Sequence, residues 1–317
     1  MPETDLAGGR IVVTGGSGFI GGHVVEALCR LGCDVLSVDR RPAKPLRCHP
    51  DGDHKVGLLL GDLTDREVVE ASVVEGTRGI VHLAAQTSVL RSLQDPQGAL
   101  DNNLAVMGNL LEQARKAGVT SFVFASTNAV VGSGATGTLH EGVALAPLTP
   151  YGATKAASEM LLSCYSAAYG VRGVALRFTN VYGPGMSEKD SAVPRLMRAL
   201  ANDSAFEIYG DGRQVRDYVN VADVVAAVIL ALRATAISGR LIIGAGSSVS
   251  VVDLVTLVEK ATGKRLQVRH VPAKAGEMPA VVVDNSAARR WGWEPSVSLE
   301  AGIAEVAAEW FGPPGET

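Results

Sequence analysis

The stretch VVTGGSGFIGGHVVEAL (residues 12–28) places Gly15, Gly18 and Gly21 between an apolar run and a helical pattern. Glycine lets the chain turn sharply at Gly15 and lets a pyrophosphate come close to the backbone at Gly18. At Gly21 it allows a helix to pack tightly on a sheet, with its N-terminus toward the anion. Glycine triplets also occur in ordinary turns, so the context carries the reading. A strand precedes this loop, a helix follows it, and the next apolar run, DVLSVD (34–39), ends on an acid. Together these mark a dinucleotide site. A carboxylate at Asp39 accepts from both ribose hydroxyls and repels a 2′-phosphate, which favours NAD over NADP. Arg40 and Arg41 follow at once and offset part of that repulsion.

Outward from the loop, IVVTG (11–15), DVLSVD (34–39), VGLLLGD (56–62), GIVHLAA (79–85), SFVFAST (121–127) and GVALRF (173–178) read as strands. They are nearly all apolar rather than alternating, as expected of parallel strands covered on both faces. Helical patterns lie near 20–31, 65–73, 99–117 and 152–170. Such alternation implies right-handed crossovers and an α/β fold with a doubly wound parallel sheet. Asp62, after the third strand, either meets an adenine edge or closes a turn. Beyond residue 180 the segments become shorter and mixed. There VPRLMRALAN (193–202) and VADVVAAVILALRA (221–234) read as helices, and LIIGAG (241–246) as a strand. Residues 1–178 are expected to form the cofactor domain, with 219–246 returning to it. Residues 179–317 are expected to form mainly a smaller, interwoven C-terminal α/β lobe for substrate.

The 317 residues are 47% hydrophobic and 20% charged, enough for a large core, with a formal net charge of −4. With no lysine or arginine block, neither nucleic acid nor an anionic membrane is an expected partner. The four cysteines show no CxxC spacing, and Cys29 and Cys33 lack histidines at ligand spacing. They read as reduced thiols of a cytoplasmic protein, and no metal is expected. The polar start MPETDLAGG (1–9) reads as no secretory signal. No run approaches the ~18 apolar residues of a membrane span.

LTPYGATKAASE (148–159) puts Tyr151 and Lys155 one turn apart on one face of a helix opened by Pro150. This is either an ordinary amphipathic pair or a base beside the cation that lowers its pKa. A secondary alcohol gives up hydride only as its hydroxyl proton leaves. A phenol titrates at about 10, and bringing it roughly 3 units lower takes about 4 kcal/mol of differential stabilisation. An ammonium one turn away and a positive nicotinamide ring are cations able to supply that in a dry cleft.

The glycine spacing, with YGATK downstream, resembles the extended short-chain dehydrogenase/reductase family of NAD-dependent nucleotide-sugar epimerases and dehydratases. The resemblance runs along nearly the whole chain. GDL (61–63) and HLAAQ (82–86) look like its adenine and pyrophosphate segments, and Asn103 occupies its helix asparagine position. FASTNAVVG (124–132) resembles its SSxxVYG strand end. RFTNVYGPG (177–185), GDGRQVRDYVNVADV (210–224) and AGEMPAVVVD (275–284) are similar to its substrate lobe. The resemblance implies a Rossmann-type cofactor domain. Its NAD contacts would be Gly15, Gly18, Phe19, Ile20, Gly21, Asp39, Arg40, Asp62, Leu63, Leu83, Ala84, Ala85, Tyr151, Lys155 and Phe178. It also implies Thr127, Tyr151 and Lys155 as catalytic groups, with Thr127 bonding the reacting oxygen and Lys155 holding the nicotinamide ribose. The implied substrate contacts are Ser88, Thr127, Asn180, Val193, Tyr209, Arg216, Lys274 and Glu277. Asn180 would bind the diphosphate or sugar and Arg216 the diphosphate; a surface ion pair between Arg216 and Asp217 is the alternative.

Departures from the family pattern narrow the chemistry. Sugar 4,6-dehydratases carry an Asp-Glu pair directly after the threonine, whereas this chain has Asn128 and Ala129, which disfavours elimination of water. Val131 replaces the tyrosine of VYG, either altering substrate packing or as a core substitution. Lys274 and Glu277 replace an arginine and an aspartate, and lysine keeps the charge without the bidentate fork. Val281 leaves room for an N-acetyl group. Ser187, Glu188 and Lys189 stand where uronic-acid epimerases place an arginine, although Lys189 or Arg195 could pair with a carboxylate. The expectation is NAD-dependent 4-epimerisation of a UDP-hexose, UDP-N-acetylhexosamine or UDP-hexuronic acid through a transient 4-keto intermediate. The enzyme is expected to be a homodimer joined through the helices near 99–117 and 152–170. A dehydratase or keto-sugar reductase is the alternative within the family, and a non-catalytic NAD-sensing regulator the alternative outside catalysis.

Overall fold

Apolar runs suited to burial on both faces form the strands of the computed structural model, which describes residues 5–42, 56–132, 137–272 and 281–312. In chain order they begin with β1 (Arg10–Thr14), β2 (Asp34–Asp39), β3 (Val56–Leu60), β4 (Thr77–His82), β5 (Ser121–Thr127) and β6 (Arg172–Phe178). There follow β7 (Asn180–Tyr182), β8 (Phe206–Tyr209), β9 (Val215–Asn220), β10 (Gly239–Ile243), β11 (Ser248–Ser250) and β12 (Val268–Val271). The expected first-half strands are all present, their ends moved by a few residues.

The chain divides into two units, one of Met1–Thr136, Glu141–Phe178 and Val225–Ile242, the other of Gly137–His140, Thr179–Val224 and Ile243–Thr317. The first holds a seven-stranded sheet in the order β10-β6-β5-β4-β1-β2-β3. β1 lies parallel to both β2 and β4, and the β2–β3, β4–β5 and β5–β6 pairs are parallel too. Strand order therefore reverses beside β1, where a doubly wound sheet opens a crevice past the C-terminal strand ends. Thr14, His82, Thr127 and Phe178 all stand at that end.

Helices α1 (Phe19–Arg30), α2 (Arg66–Ser72), α3 (Val89–Gln94), α4 (Pro96–Ala99), α5 (Val106–Lys116) and α6 (Pro150–Tyr169) belong to this unit. Val106, Met107, Leu110 and Leu111 of α5 and Leu162 of α6 pack with Val12, Ile80, Phe122 and Phe124 in its core. The helix expected over 99–117 is not continuous, because a π-helical turn (Leu100–Ala105) separates α4 from α5. This wider turn is where Asn103 is buried, its Oδ1 accepting from Gln86 N at 2.8 Å. α6 starts as its sequence dictates: Pro150 sits at the first helical position and the Thr149 hydroxyl accepts from Gly152 N. It stops at Gly170, whose φ of +74° is left-handed.

α7 (Ala192–Ala201) lies in the second unit, and α8 (Val221–Arg233) runs from the second into the first. α9 (Val251–Thr262), α10 (Ser286–Arg290) and α11 (Leu299–Phe311) complete the second unit, and none of these three was marked by the sequence reading. β9 joins β7 in parallel and β11 antiparallel, while β8 and β12 form a separate parallel pair. Asp217 of β9 is fully buried, its carboxylate accepting from Ala245 N at 2.9 Å and Gly246 N at 2.8 Å. Among the described residues, no helix is long and apolar enough to cross a membrane.

Candidate active site

The glycine loop forms a cradle that side chains would fill. Gly15 has a φ of +74°, and a Cβ on it would lie 2.7 Å from Ala84 N. A Cβ on Gly21 would lie 2.0 Å from the Gly15 carbonyl. Gly18 caps α1 without a side-chain bond, and the first turn of α1 carries no acid. The N-terminus of α1 therefore offers backbone N–H groups and a positive dipole end to an anion. Phe19 and Ile20 open that helix, and Leu83, Ala84 and Ala85 follow β4. Leu63 and Phe178 are buried.

At the end of β2, the Asp39 carboxylate accepts from Ser17 N and Arg41 N, each at 3.1 Å. Arg40 donates to Asp62 at 2.7 Å and also to Asn102. Its charge is thus committed to Asp62 rather than set against Asp39, which strengthens the preference for NAD. Asp62 also accepts from Thr64 N and its hydroxyl, so it closes the turn after β3 whatever else it contacts. A glycine cradle, an open helix N-terminus and a held carboxylate together fit NAD.

Tyr151 stands in the first turn of α6, half-buried, with Lys155 one turn on and 3% exposed. That burial rules out the amphipathic pair with a solvated ammonium. Gly152 makes the arrangement possible, because a Cβ there would lie 2.6 Å from the Ala129 carbonyl. The helix start is pressed onto the backbone just past β5, and the Thr127 hydroxyl reaches the Tyr151 phenol. Lys155 Nζ donates to the Ala125 carbonyl at 2.8 Å and lies 4.6 Å from the Phe124 ring centroid.

The charge states differ from the expectation of a lowered phenol. Burial pushes Tyr151 up to about 12, opposed only by the Thr127 hydrogen bond. Burial also pushes Lys155 down to about 7, opposed by the Glu159 carboxylate. The protein alone thus keeps Tyr151 protonated at neutral pH, because desolvation outweighs the Thr127 hydrogen bond.

Two residues of this site, His82 and Glu159, are not singled out by the sequence analysis. His82 is buried, with Nδ1 2.7 Å from the Thr14 hydroxyl and its ring stacked on Phe124. Burial and then the Lys155 charge push it down to about 3, so it is a neutral imidazole. Glu159 lies on the Tyr151–Lys155 stripe of α6, and its i+8 spacing from Tyr151 was the available signal. Asn128 is buried with its Nδ2 unpartnered, and Val131, 2% exposed, is a core substitution. Asn103 also donates to the Thr154 hydroxyl, tying the π turn to α6.

The remaining expected contacts divide between the units. Ser88, in the first, caps α3 by accepting from Arg91 N. In the second, Asn180 opens β7 and donates to the Asp217 carbonyl at 2.9 Å. Val193 is buried in α7, Tyr209 ends β8, and Arg216 of β9 donates to the Val215 carbonyl. The surface pair of Arg216 with Asp217 fails, because Asp217 is buried and bonded to backbone amides. Val281 is buried too, and Lys274 and Glu277 lie outside the described residues.

Residues 11–244 match the NAD dependent epimerase/dehydratase family. A UDP-glucose 4-epimerase of Lacticaseibacillus casei is 32% identical, over 95% of this chain and 96% of its own. The structure of Thermotoga maritima UDP-glucose 4-epimerase with UDP-glucose is 32% identical, covers 95% of this chain and 98% of that one, and superposes with a TM-score of 0.86. The NAD complex of Thermus thermophilus UDP-glucose 4-epimerase is 33% identical, with the same coverage and a TM-score of 0.86.

Proposed function

The chain belongs to the NAD-dependent epimerase/dehydratase family, and from that premise we propose that it interconverts the C4 epimers of a UDP-sugar through a transient 4-keto intermediate. The observation that carries this reading is the meeting of Thr127, Tyr151 and Lys155 in a unit that also holds the glycine cradle. When bound, NAD supplies the hydride acceptor and a positive ring. Tyr151 takes the C4 hydroxyl proton, Thr127 orients the reacting oxygen, and Lys155 stabilises the phenolate and holds the cofactor ribose. A phenol pushed up to about 12 by burial is kept inactive until such a charge joins Lys155 beside it. Asn128 and Ala129 have no group that exchanges protons in the neutral range, so elimination of water lacks its acid and base.

The reading assigns NAD to residues 1–178 with 219–246, and the nucleotide sugar mainly to 179–317. Asn180 and Arg216 take the diphosphate, joined by Lys274 and Glu277, and Val193 and Tyr209 line the substrate with Ser88. The active form is a cytoplasmic homodimer joined through α5 and α6, where Met160 leaves a large apolar side chain 65% exposed.

The test is a panel of UDP-hexoses, UDP-N-acetylhexosamines and UDP-hexuronic acids followed by anomeric NMR signals. One pair of C4 epimers should equilibrate without net change in NADH. Tyr151→Phe should bind NAD and the UDP-sugar yet lose most turnover. An active Tyr151→Phe enzyme, or a product lacking water, would overturn the mechanism.

A further inference from the structure

We propose that Glu159, clamped by Arg177 and Ser126, is a positioning residue for Lys155: it sets a fixed negative charge behind that lysine and fixes the α6 stripe carrying Tyr151 against the end of β5. The inference rests on the catalytic reading of Thr127, Tyr151 and Lys155 given above.

Tyr151, Lys155 and Glu159 follow at four-residue spacing, so they form one stripe of α6. Arg177, on β6 and fully buried, donates through Nε to Glu159 Oε1 at 2.9 Å and through Nη2 to Oε2 at 2.7 Å. Ser126 Oγ donates to Glu159 Oε1 at 2.5 Å. Ser126 is the middle residue of a strand end whose neighbours hold the site. The Ala125 carbonyl before it accepts from the Lys155 ammonium, and the Thr127 hydroxyl after it hydrogen-bonds the Tyr151 phenol oxygen. One carboxylate therefore braces both catalytic side chains through the strand they lean on.

Stability alone does not account for the brace. A buried ion pair roughly breaks even against apolar residues of the same volume. This one leaves Arg177 Nη1 with no hydrogen-bond partner among the described residues. The groups that face Lys155 explain what the carboxylate adds. β5 presents the Phe124 ring and the Ala125 carbonyl, and β4 presents His82, which stays neutral above pH about 3. α6 itself adds the neutral Tyr151 phenol, and the Arg177 fork of β6 is spent on Glu159. Glu159 is the group whose negative charge opposes the loss of the Lys155 proton.

The test follows the phenolate absorbance of the NAD-loaded protein against pH, with Tyr151→Phe as the blank that isolates the Tyr151 signal. Glu159→Gln removes the charge while keeping the shape. The Lys155 proton should then leave at lower pH, and the Tyr151 phenolate should form about one pH unit or more higher than in the wild type. Glu159→Gln with Arg177→Met removes the stranded guanidinium as well, so it guards against misfolding. In that double variant the phenolate should return part of the way toward its wild-type pH. A purely structural brace would lower stability and leave the Tyr151 titration in place. An unmoved titration in folded, loaded Glu159→Gln overturns the proposal, as does a wild-type titration in the double variant. The readout needs no substrate, so failure to epimerise any UDP-sugar would sink the proposed activity without deciding this test.

Discussion

Gly152→Ala is the substitution that most directly tests how the catalytic pair is assembled. The added Cβ would lie 2.6 Å from the Ala129 carbonyl oxygen, about 0.8 Å short of the 3.4 Å at which ordinary contact begins. It would also lie 3.1 Å from Pro147 Cβ, so the clash cannot be relieved by sliding that way. The closest partner is backbone and has no rotamer to change, so the start of α6 or the turn after β5 must move. The overpacking should cost about 1–3 kcal/mol of stability. The displacement falls on Tyr151, one residue earlier, and on its hydrogen bond to Thr127. Misplacing a reacting group by about 1 Å costs roughly a hundredfold in rate. That corresponds to about 2.7 kcal/mol in the barrier. The assay is kcat for the UDP-sugar identified by NMR, alongside NAD titration and thermal unfolding. NAD binding should survive, because the glycine cradle lies on β1 and α1. A kcat within a few-fold of wild type would refute the claim that this close approach sets the Tyr151 geometry.

Two further outcomes bear on the buried lysine and on assembly. In the NAD-free protein, burial pushes Lys155 from its ordinary 10.5 down to about 7, so unfolding takes up a proton between those values. Its contribution to stability must therefore rise with pH across that window and be complete above it. Urea melts of wild type and Lys155→Met should converge or cross in this direction as pH increases, and a difference independent of pH would contradict the burial assigned to the ammonium. Met160→Glu should turn the proposed homodimer into a monomer in sedimentation velocity, since a charge would be buried at the α6 face. An intact dimer would place the interface elsewhere.

The cofactor half of the molecule is legible in sequence because its determinants are local. Three glycines within seven residues, an acid at the next strand end and a helical i,i+4 pair need no knowledge of what lies across the sheet. The second unit lacks that advantage. Its strands run only three to six residues, β7 and β11 three each, too few for a period to accumulate. β9 even carries Asp217 at a fully buried position, and a buried acid in VRDYVN reads as surface until the amides of Ala245 and Gly246 are folded against it. The same limit hid the partner of Glu159, because the sheet register that aligns Arg177 with Ser126 is not written in either segment.

What sequence shows least is the electrostatics of the Tyr151–Lys155 pair in the cofactor-free fold. Spacing identifies a lysine beside a tyrosine and suggests a lowered phenol, but spacing carries no information about water. The fold buries Lys155 and half-buries Tyr151, and desolvation raises the phenol and lowers the ammonium, against each group's useful form. Two groups each weakened by burial cannot rescue one another, since the ammonium that should favour the phenolate is itself half lost near neutrality. Tyr151 then requires a charge from outside the pair, a bound cation, whereas at Lys155 the carboxylate of Glu159 already opposes the loss of the proton. That carboxylate is built into the chain, and its clamp by Arg177 and Ser126 keeps it from turning away as the site titrates.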